Sequence, residues 1–578
     1  MNGLPSRISR DEFHDRPSTS RFDTYESDRD RPAIWSPSLG WALLGAIPAA
    51  ATTFTVCSSG CAYSQIGPAI AAASSGDTVS IGSGRYVGGF TIDQSLSLVG
   101  AGAHETTISG GGPVITVGKF GATTEPTVAL RDLTITGGVT ASSPVSTAYV
   151  AKAGVIALGG GIFVPPAAKF ATGATLTVSN SVIADNIAAP TASVDAGFSC
   201  GRHDCRFAQA GGGGIDNWGL LTVDNTIVSN NESAGAFTSD ADGAGIYTQQ
   251  GALTVKNSLV TGNRTIAIAP DGRFAEGAGI MVDTSASAGA CTPCTLSVQD
   301  SIVSDNSSSL INNTLPSSVG IQHGMNANAG GIHVGDGIPT TVNNTAIDGN
   351  SATAVDLRGE LFGIDAGMIV GYSPLVMRNT QIDDNRSTTT ELTSTDVGPA
   401  GSALELDGGG TISGTRIDGN FAISTSPGGL ADTNGGLAIF YFGNPGGAHL
   451  VTVRNSDISG NVTDSFSTTG SAQIEGAAVF NNSLLVMRND HVSDNVGRAE
   501  APTGVAQGGG MWNGVDASTG ASPPAQLTLV NASVTDNVLE GRAGVTLQGG
   551  GIFTASPATL TLTNTRIRFN RPDQCFGC

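Results

Sequence analysis

A repeated sequence unit limits what this chain can fold into more than any other feature. A segment of three small residues and an aliphatic residue, such as GGGI at 159–162, precedes a run of the form LTVxNSxIxxN. The unit contains short runs of Val, Ile, Leu and Thr between Gly, Asn, Asp and Ser turns, which predicts strands without helix. Strands from one unit cannot bury their apolar face alone, so successive units must stack as a solenoid. The unit closes at Asn186, Asn231, Asn263, Asn306, Asn350, Asn385, Asn420, Asn461, Asn495, Asn537 and Asn570.

Parallel stacking of these units predicts which residues lie above one another, about 4.8 Å apart. We expect the closing asparagines to form a turn, because asparagine tolerates left-handed backbone conformations, and to hydrogen-bond to the copies above and below. One inward column contains Val178, Val223, Val255, Val298 and Val342. A second inward column contains Ile183, Val228, Val260, Val303, Ile347, Ile382, Ile417, Ile458, Val492, Val534 and Ile567.

Composition excludes several other classes of protein. Glycine supplies 81 of the 578 residues, hydrophobic residues 39% and charged residues only 13%. A disordered chain needs low hydrophobicity and high charge, and collagen needs glycine at every third position, so neither class fits. The formal net charge of -21 disfavours nucleic acid and anionic membrane surfaces as partners, because both require cationic patches.

The first 51 residues differ from the remainder, so we divide the chain into a polar leader with a secretory signal, 1–51, and a solenoid, 52–578. The segment Ile34 to Ala51 is too short and too interrupted by proline to span a bilayer. It fits an apolar signal region that ends in the cleavage site Ala49-Ala50-Ala51. We therefore expect a secreted, extracellular monomer without stable membrane insertion.

The eight cysteines form four close pairs in the sequence. An even number in an exported chain predicts disulfides, each of which would pin a local loop. The alternative is metal or redox chemistry, since two pairs are C-x-x-C and His203 lies within CGRHDC, but zinc would require the pairs to converge in space. The pairs are Cys57/Cys61, Cys200/Cys205, Cys291/Cys294 and Cys575/Cys578.

The small-residue segment followed by NSxIxxN resembles the repeat of polymorphic outer-membrane proteins and, more broadly, of the pectin-lyase superfamily. The resemblance spans roughly residues 52–570. It implies an all-β fold, a single right-handed parallel β-helix of about 12–14 coils. Residues 69–86 resemble the start of secreted bacterial β-helices, where a short helix caps the first coil, and NRPDQCFGC at the other end could close the stack.

The residue before each member of the second inward column should point outward. This outward column is apolar at Val182, Ile227, Leu259 and Ile302 and polar in the later coils. An exposed apolar stripe of four coils is unusual for a soluble surface, so we expect a long loop to cover it. Two linkers, 187–210 and 307–328, are much longer than the others and form either tolerated insertions or a binding face.

On the other side of the inward residue, three consecutive coils place an aspartate in a second outward column. These are Asp348, Asp383 and Asp418, with Asp384 adjacent. Carboxylates about 5 Å apart repel by roughly 1 to 3 kcal/mol per pair, so the ladder requires a cation. Calcium takes about six to eight oxygen ligands in flexible geometry, and we predict a calcium site at these four residues.

Arg416 lies two residues from Asp418 on the same face. Stacked carboxylates beside an arginine resemble the site of calcium-dependent pectate lyases, in which calcium neutralises a uronate carboxylate and an arginine removes the C5 proton. By this resemblance Arg416 is the candidate catalytic residue. The candidate substrate-binding residues are Arg378, Arg454, Arg488 and His491.

Two other interpretations of the aspartates stay open. One Asp followed by an Asp-Asp pair on the next coil resembles the acid cluster of polygalacturonases, in which paired carboxylates act as general acid and base. The Gly-His-Gly and Arg-Ile-Lys motifs of that family are missing, and the nearest string is Arg-Ile-Asp at 416–418. Aspartate is also an ordinary turn residue at this corner, as at Asp185 and Asp494.

Regular repeats and variable loops without a complete catalytic motif favour a non-catalytic, adhesin-like function. We expect the protein to bind a polysaccharide or a cell-surface glycan. The enzymatic alternative is a calcium-dependent polysaccharide lyase that acts on an acidic glycan by β-elimination, with glycoside hydrolysis as the other enzymatic option.

Overall fold

A computed structural model places Ala51–Cys578 in one compact unit. Residues 1–50 lie outside the described residues, so the leader, the signal and secretion stay predictions. Within the unit, the structure describes all residues except 144–154, 169–170, 192–193, 200–203, 235–239, 269–273, 285–292, 313–324, 357–360, 392–399, 402, 442–448 and 516–523.

The unit is a right-handed parallel β-helix, as the repeat predicted. Strands at equivalent positions of successive coils pair in parallel and form six sheets, which we number 1 to 6. A complete coil passes in chain order through sheets 1, 2, 4, 5 and 3, and sheet 6 takes the place of sheet 5 in the last coils. Sheets 2 and 3 have 14 strands each, which agrees with the predicted number of coils.

The run LTVxNSxIxxN forms sheets 1 and 2. Sheet 1 consists of Thr53–Val56, Thr78–Ile81, Leu96–Val99, Thr127–Arg131, Thr175–Ser179, Leu220–Asp224, Ala252–Lys256, Thr295–Gln299, Thr340–Asn343, Leu375–Arg378, Gly410–Ser413, Leu450–Arg454, Leu484–Arg488, Gln526–Val530 and Thr559–Thr563. Sheet 2 consists of Gly84–Val87, Thr106–Ser109, Thr134–Thr136, Val182–Ala184, Ile227–Ser229, Leu259–Thr261, Ile302–Ser304, Ala346–Asp348, Gln381–Asp383, Arg416–Asp418, Asp457–Ser459, His491–Ser493, Ser533–Thr535 and Arg566–Arg568.

The aliphatic residue that ends the small-residue segment begins most strands of sheet 3. This sheet consists of Phe90–Ile92, Ile115–Val117, Ile162–Val164, Ile215–Asn217, Ile246–Gln249, Ile280–Asp283, Ile332–Val334, Met368–Val370, Leu404–Leu406, Leu437–Ile439, Val479–Asn481, Met511–Asn513, Ile552–Thr554 and Cys575–Phe576.

The linkers form the remaining sheets. Sheet 4 consists of Val139–Thr140, Ile187–Ala188, Glu232–Ala234, Arg264–Ile268, Ser307–Asn312, Ser351–Asp356, Arg386–Glu391, Phe421–Ser426, Val462–Ser467, Val496–Glu500 and Val538–Gly541. Sheet 5 consists of Val155–Leu158, Asp204–Gly211, Asp240–Asp242, Phe274–Glu276, Met325–Asn328 and Leu361–Gly363, with Val194–Ser199 antiparallel to Asp204–Gly211. Sheet 6 consists of Leu430–Thr433, Ser471–Glu475, Thr503–Gln507 and Val545–Gln548.

Both predicted inward columns are confirmed. The five valines from Val178 to Val342 are register partners in sheet 1, and each is completely buried. The column from Ile183 to Ile567 runs the same way through sheet 2. The core is therefore built from stacks of like aliphatic side chains.

The predicted asparagine ladder is confirmed. The Asn186 amide donates to Asn231 Oδ1 at 3.0 Å, and the same bond recurs from coil to coil as far as Asn570. The expected left-handed conformation of these asparagines is wrong, because the preceding residue takes it, for example Asp185 with φ 57°. The exposed residue makes the turn, so that the buried amide remains in the ladder.

The surface differs from the sequence analysis in two respects. The linkers are not only loops, because they contain the strands of sheets 4, 5 and 6. The strands of sheet 5 turn small residues such as Ala241 and Ala275 into the core. Sheets 1, 2 and 3 have larger aliphatic residues at most of their inward positions. Among the described residues no loop covers Ile227 and Ile302 of the apolar stripe, which are 40% and 47% exposed. Along the stripe each apolar side chain stacks instead on its register partners.

The ends of the solenoid are closed as expected. Helix α1, Ile66–Ala72, buries Ile66, Ala69 and Ile70 in the core of the first coils. Disulfides join Cys57 to Cys61 and Cys575 to Cys578, and Cys294 is also disulfide-bonded. The side chains of Cys200, Cys205 and Cys291 lie outside the described residues. In the part of the chain that the structure describes, no helix is long and apolar enough to cross a membrane.

Candidate functional site

The aspartate ladder predicted from the sequence forms on the outward side of sheet 2. Asp348, Asp383 and Asp418 are register partners in three consecutive strands. Asp384 does not extend the ladder, because it is the left-handed turn residue beside it, with φ 54°. Burial raises the pKa of Asp383 to about 6, although Arg416 lowers it. Burial, together with Asp384, also raises the pKa of Asp348.

Arg416 supplies the positive charge that this ladder requires. Its Nη1 lies 3.4 Å from Asp383 Oδ2, and its Nη2 is paired with Asp418. Partial burial would lower the pKa of Arg416, but the two carboxylates outweigh burial and raise it, which disfavours a role as proton acceptor. No group of three or more His, Cys, Asp or Glu residues within the described ranges is placed to hold a metal ion. The calcium site and a catalytic Arg416 therefore stay predictions.

Arg416 also lines a shallow groove of about 410 Å³ at the corner between sheets 1 and 2, together with Asn455, Asp457, Asn489 and His491. Arg416, Asp457 and His491 follow one another in register, so the predicted binding residue His491 lies beside the predicted catalytic one. The other three predicted binding residues share an exposed column of sheet 1, which reads Arg378, Ser413, Arg454 and Arg488.

A second group of ionisable residues, which the sequence analysis missed, lies on the outward sides of sheets 3 and 5. In sheet 3 the residue after the small-residue segment forms the outward column Phe163, Asp216, Tyr247, Met281, His333, Ile369 and Glu405. In sheet 5 the last strand residues Asp242 and Glu276 are register partners. We call the whole group the acidic cluster. Its members are Asp216, Asp240, Asp242, Tyr247, Glu276, Asp283, His333, Asp336, Asp365, Tyr372, Glu405 and Asp407.

Glycines at the junction of sheets 5 and 3 bring the two sets of side chains together. Gly212, Gly243 and Gly277 have φ of 61°, 45° and 54°, a left-handed conformation that turns the chain from one sheet into the next. A Cβ at Gly211 would lie 2.7 Å from the ring of Tyr247. The glycine-rich segment therefore makes room for the tyrosine as well as turning the chain.

The deepest carboxyl of the cluster belongs to Asp216, which is completely buried. Its Oδ2 accepts a hydrogen bond from Gln249 Nε2 at 3.2 Å, and the side chain of Trp218 also hydrogen-bonds to this carboxyl. Asp242 Oδ2 accepts from Gln209 Nε2 at 2.7 Å. Burial raises the pKa of both aspartates well above the ordinary value. Both therefore hold protons more tightly than an exposed aspartate does.

Glu276 and His333 lie at the edge of the cluster, where their side chains are 13% and 15% exposed. Glu276 Oε1 accepts from Asn328 Nδ2 at 3.3 Å, and Oε2 lies 3.4 Å from His333 Nδ1. Burial, reinforced by Asp283 and Asp240, raises the pKa of Glu276 to about 8. Burial lowers the pKa of His333. At neutral pH the contact therefore joins a protonated carboxyl and a neutral imidazole.

A second set of carboxyls continues the cluster towards the later coils. Burial, together with Asp365 and Asp407, raises the pKa of Glu405 well above its ordinary value. Burial and Asp365 also raise the pKa of Asp407 to about 7. These raised pKa values favour protonated carboxyls in the cluster at neutral pH, and strongly shifted pKa values of this kind are common at functional sites.

The sequence held part of the signal for this cluster. In the string GGGIDNWG at 212–219, the aspartate occupies the first outward position after the small-residue segment. The register argument used for sheets 1 and 2 would, at this segment, have placed Asp216, Tyr247, His333 and Glu405 in one column. Asp242 and Glu276 gave no such signal, because the linkers of sheet 5 vary in length and carry no repeated motif.

Comparisons with known proteins found similarity only among solved structures. No protein family and no curated protein matches the sequence. The A-module of the mannuronan C-5 epimerase AlgE6 from Azotobacter vinelandii is 15% identical, with a TM-score of 0.34, over 87% of this chain and 93% of that chain. The catalytic domain of a GH87 α-1,3-glucanase in complex with nigerose is 11% identical, with a TM-score of 0.27, over 89% and 68%.

A mannuronic acid-specific family 6 polysaccharide lyase from human gut microbiota is 9% identical, with a TM-score of 0.25, over 88% of this chain and 87% of that chain. These low TM-scores support no inference about activity, so the function is argued from the residues of this chain.

Proposed function

We propose that the acidic cluster is the catalytic site of an enzyme that cleaves a polysaccharide by acid–base catalysis at a glycosidic bond. The observation that carries the proposal is the arrangement of Glu276 beside Asp242 on the neighbouring coil and against His333. The resemblance of the repeat to the pectin-lyase superfamily supports a glycan as the substrate class.

Burial of these carboxyls is costly, which supports a functional reason for them. An ionised group shielded from water destabilises a fold unless it is paired, and an unpaired buried oxygen costs about 1 to 3 kcal/mol. Asp216 is completely buried, and among the described members of the acidic cluster His333 is the one basic side chain beside nine carboxyls. A purely structural role would be served better by the aliphatic and aromatic residues found elsewhere in the same column, Phe163, Met281 and Ile369.

The pair Asp242 and Glu276 fits the two carboxyls that glycoside hydrolysis requires. Register partners lie about 4.8 Å apart at Cα, and burial together with the neighbouring charge of Glu276 raises the pKa of Asp242. One member can then protonate the leaving oxygen while the other, ionised, acts as base or nucleophile. Glu276 is the candidate proton donor because it lies at the edge of the cluster, and Asp242, whose pKa burial also raises, must lose its proton before it acts as base or nucleophile.

The same geometry disfavours the lyase alternative. β-Elimination on an acidic glycan needs a cation against the uronate carboxylate. Among the described members of the cluster only His333 can become positive, and burial lowers its pKa. Asp242 and Glu276 would also repel an acidic substrate once either is ionised.

The test is a panel of neutral and acidic polysaccharides incubated with the full chain, with reducing ends measured for hydrolysis and ultraviolet absorbance for unsaturated products. We expect reducing ends, and we expect Glu276→Gln to lower their rate about 100-fold or more, because it removes the proton donor. Glu540→Gln is the matched control, since Glu540 is an exposed glutamate that pairs with Arg498 on sheet 4.

Binding without any product would contradict the proposal and favour the non-catalytic function expected from the sequence. Unsaturated products in place of reducing ends would favour the lyase. Equal activity of the Glu276→Gln variant and the wild type would show that the acidic cluster is not the catalytic site.

A further inference from the structure

We propose that Arg378, Arg454 and Arg488 form a binding surface for an anionic polysaccharide that lies along the axis of the β-helix. We call these three residues the arginine row. They lie on sheet 1, whereas the acidic cluster lies on sheets 3 and 5, so this proposal does not depend on the catalytic one.

The arginine row is set by the register of sheet 1. Arg378 pairs with Ser413, Ser413 with Arg454, and Arg454 with Arg488. Adjacent coils are about 4.8 Å apart, so the row presents positive charges at multiples of one coil along the axis. All three side chains are exposed. A flexible chain that runs along the axis can therefore meet each guanidinium in turn.

The arginine row has no counterion in the part of the chain that the structure describes. None of its members has an ion-pair partner among the described residues, whereas Arg264 pairs with Glu232 and Arg498 with Asp464 and Glu540. Arg454 and Arg488 occupy adjacent coils, so their like charges repel. The chain carries 48 acidic residues, yet none neutralises this row within the described ranges. An external anion would relieve the repulsion.

The groove at the next corner supplies hydrogen-bonding groups beside these charges. Asn455 and Asn489 directly follow Arg454 and Arg488, and the Asn489 amide donates to Asn455 Oδ1 at 3.2 Å. Both asparagines line the groove of about 410 Å³, together with Asp457 and His491. Exposed amides and a carboxylate can hydrogen-bond to sugar hydroxyls, while the guanidinium groups pair with the acidic substituents.

This combination favours a sparsely charged polymer of acidic sugars. A uronan or a sulfated glycan carries about one anionic group per sugar, and the length of one sugar is comparable with the rise of one coil. The net charge of -21 opposes a densely charged polyanion such as nucleic acid. Arginine matches carboxylate and sulfate oxygens with two parallel hydrogen bonds, which adds geometric specificity.

Affinity electrophoresis and calorimetry of the full chain with polygalacturonate, alginate and neutral dextran test the proposal. We expect the acidic polymers to bind and dextran not to, and we expect added salt to weaken the binding. The variant Arg454→Ser/Arg488→Ser should bind the acidic polymers about tenfold more weakly or worse. Serine already occupies this column at Ser413, so the variant should keep the fold.

Three further variants sharpen the result. Arg264→Ser is the matched control, because the register partner of Arg264 in the next coil is Ser307 and Arg264 belongs to an ion pair on sheet 4. Arg454→Lys/Arg488→Lys should retain part of the binding, since it keeps the charge. Glu540→Gln should bind as the wild type does, because Glu540 is an exposed glutamate on sheet 4 that lies outside both proposed sites.

Wild-type affinity in the serine variant, or equal binding of dextran and the acidic polymers, would overturn the proposal. Stronger binding of nucleic acid than of uronan would also overturn it.

Discussion

At the scale of single residues, Asp490 is a buried carboxyl that destabilises the column of side chains in which it lies. In most coils a serine or threonine follows the exposed asparagine of the NS pair, and its hydroxyl accepts a backbone N–H from the previous coil, as Ser258 accepts from Thr226 at 3.1 Å. Asp490 takes this position and accepts from Ser456 N at 2.8 Å. It is completely buried, and burial raises its pKa to about 6, although backbone hydrogen bonds from Ser456 and Arg488 lower it.

We predict that Asp490→Ser stabilises the protein at neutral pH. The folded-state pKa of about 6 lies above the ordinary 3.8, so the cost of ionising Asp490 is absent below pH 4 and complete above pH 6. The pKa difference corresponds to about 3 kcal/mol. Urea unfolding at pH 4 and pH 7 measures the effect, which should appear only at pH 7.

Asp93→Ser serves as control, because Asp93 is exposed and lies 3.8 Å from Lys119. A gain in stability that is equal at both pH values would show that packing of serine, rather than ionisation of Asp490, is responsible.

At the scale of elements, the small-residue segment and the asparagine ladder form one structural device. A Cβ at Gly245 would lie 2.5 Å from Gly279 O and 3.0 Å from the amide nitrogen of Asn263. Gly214 has the same relation to Asn231. The residue before the strand must be small because the ladder amide lies against it, and this contact explains why the two motifs recur together.

We predict that Gly245→Val lowers the free energy of unfolding by about 3 kcal/mol or prevents folding, because overpacking against backbone cannot relax. Gly245→Ala should be milder, since Ala403 and Ala478 occupy this position in their own coils. Thermal unfolding measured by circular dichroism checks both. Gly67→Val is the control, because nothing lies within 4 Å of a Cβ at Gly67. A Gly245→Val protein as stable as the wild type would contradict the contact.

The fold could be predicted from the sequence only where the repeated motifs occur. Wherever the chain repeats a motif, the register follows, and the columns of Val178 and Ile183 were predicted residue by residue. Sheets 4 and 5 could not be predicted, because small inward residues such as Ala241 and Thr265 hold them and the linkers vary in length. The aspartate ladder lies in a segment with a repeated motif and was predicted. The pair Asp242 and Glu276 lies in a linker strand without such a motif and was missed.

At the scale of the whole molecule, the excess of negative charge and the burial of carboxyl groups both favour the protonated form of those groups. The formal charge of -21 assumes that every carboxyl is ionised, whereas burial raises the pKa of Glu276 to about 8, of Asp407 to about 7 and of Asp383 to about 6. In each case the folded state binds the proton more tightly than the unfolded chain does. Stability contributed by these groups is therefore largest in weak acid and declines as the pH rises through their folded-state pKa values.

The central claim is that the acidic cluster holds protons at neutral pH, and an infrared pH titration of the full chain tests it most directly. We predict that the stretching band of protonated carboxyls persists at pH 7, fades as the pH rises through about 8, and is weaker in Glu276→Gln than in the wild type. A spectrum at pH 7 that contains only ionised carboxylates, unchanged in that variant, would contradict the claim.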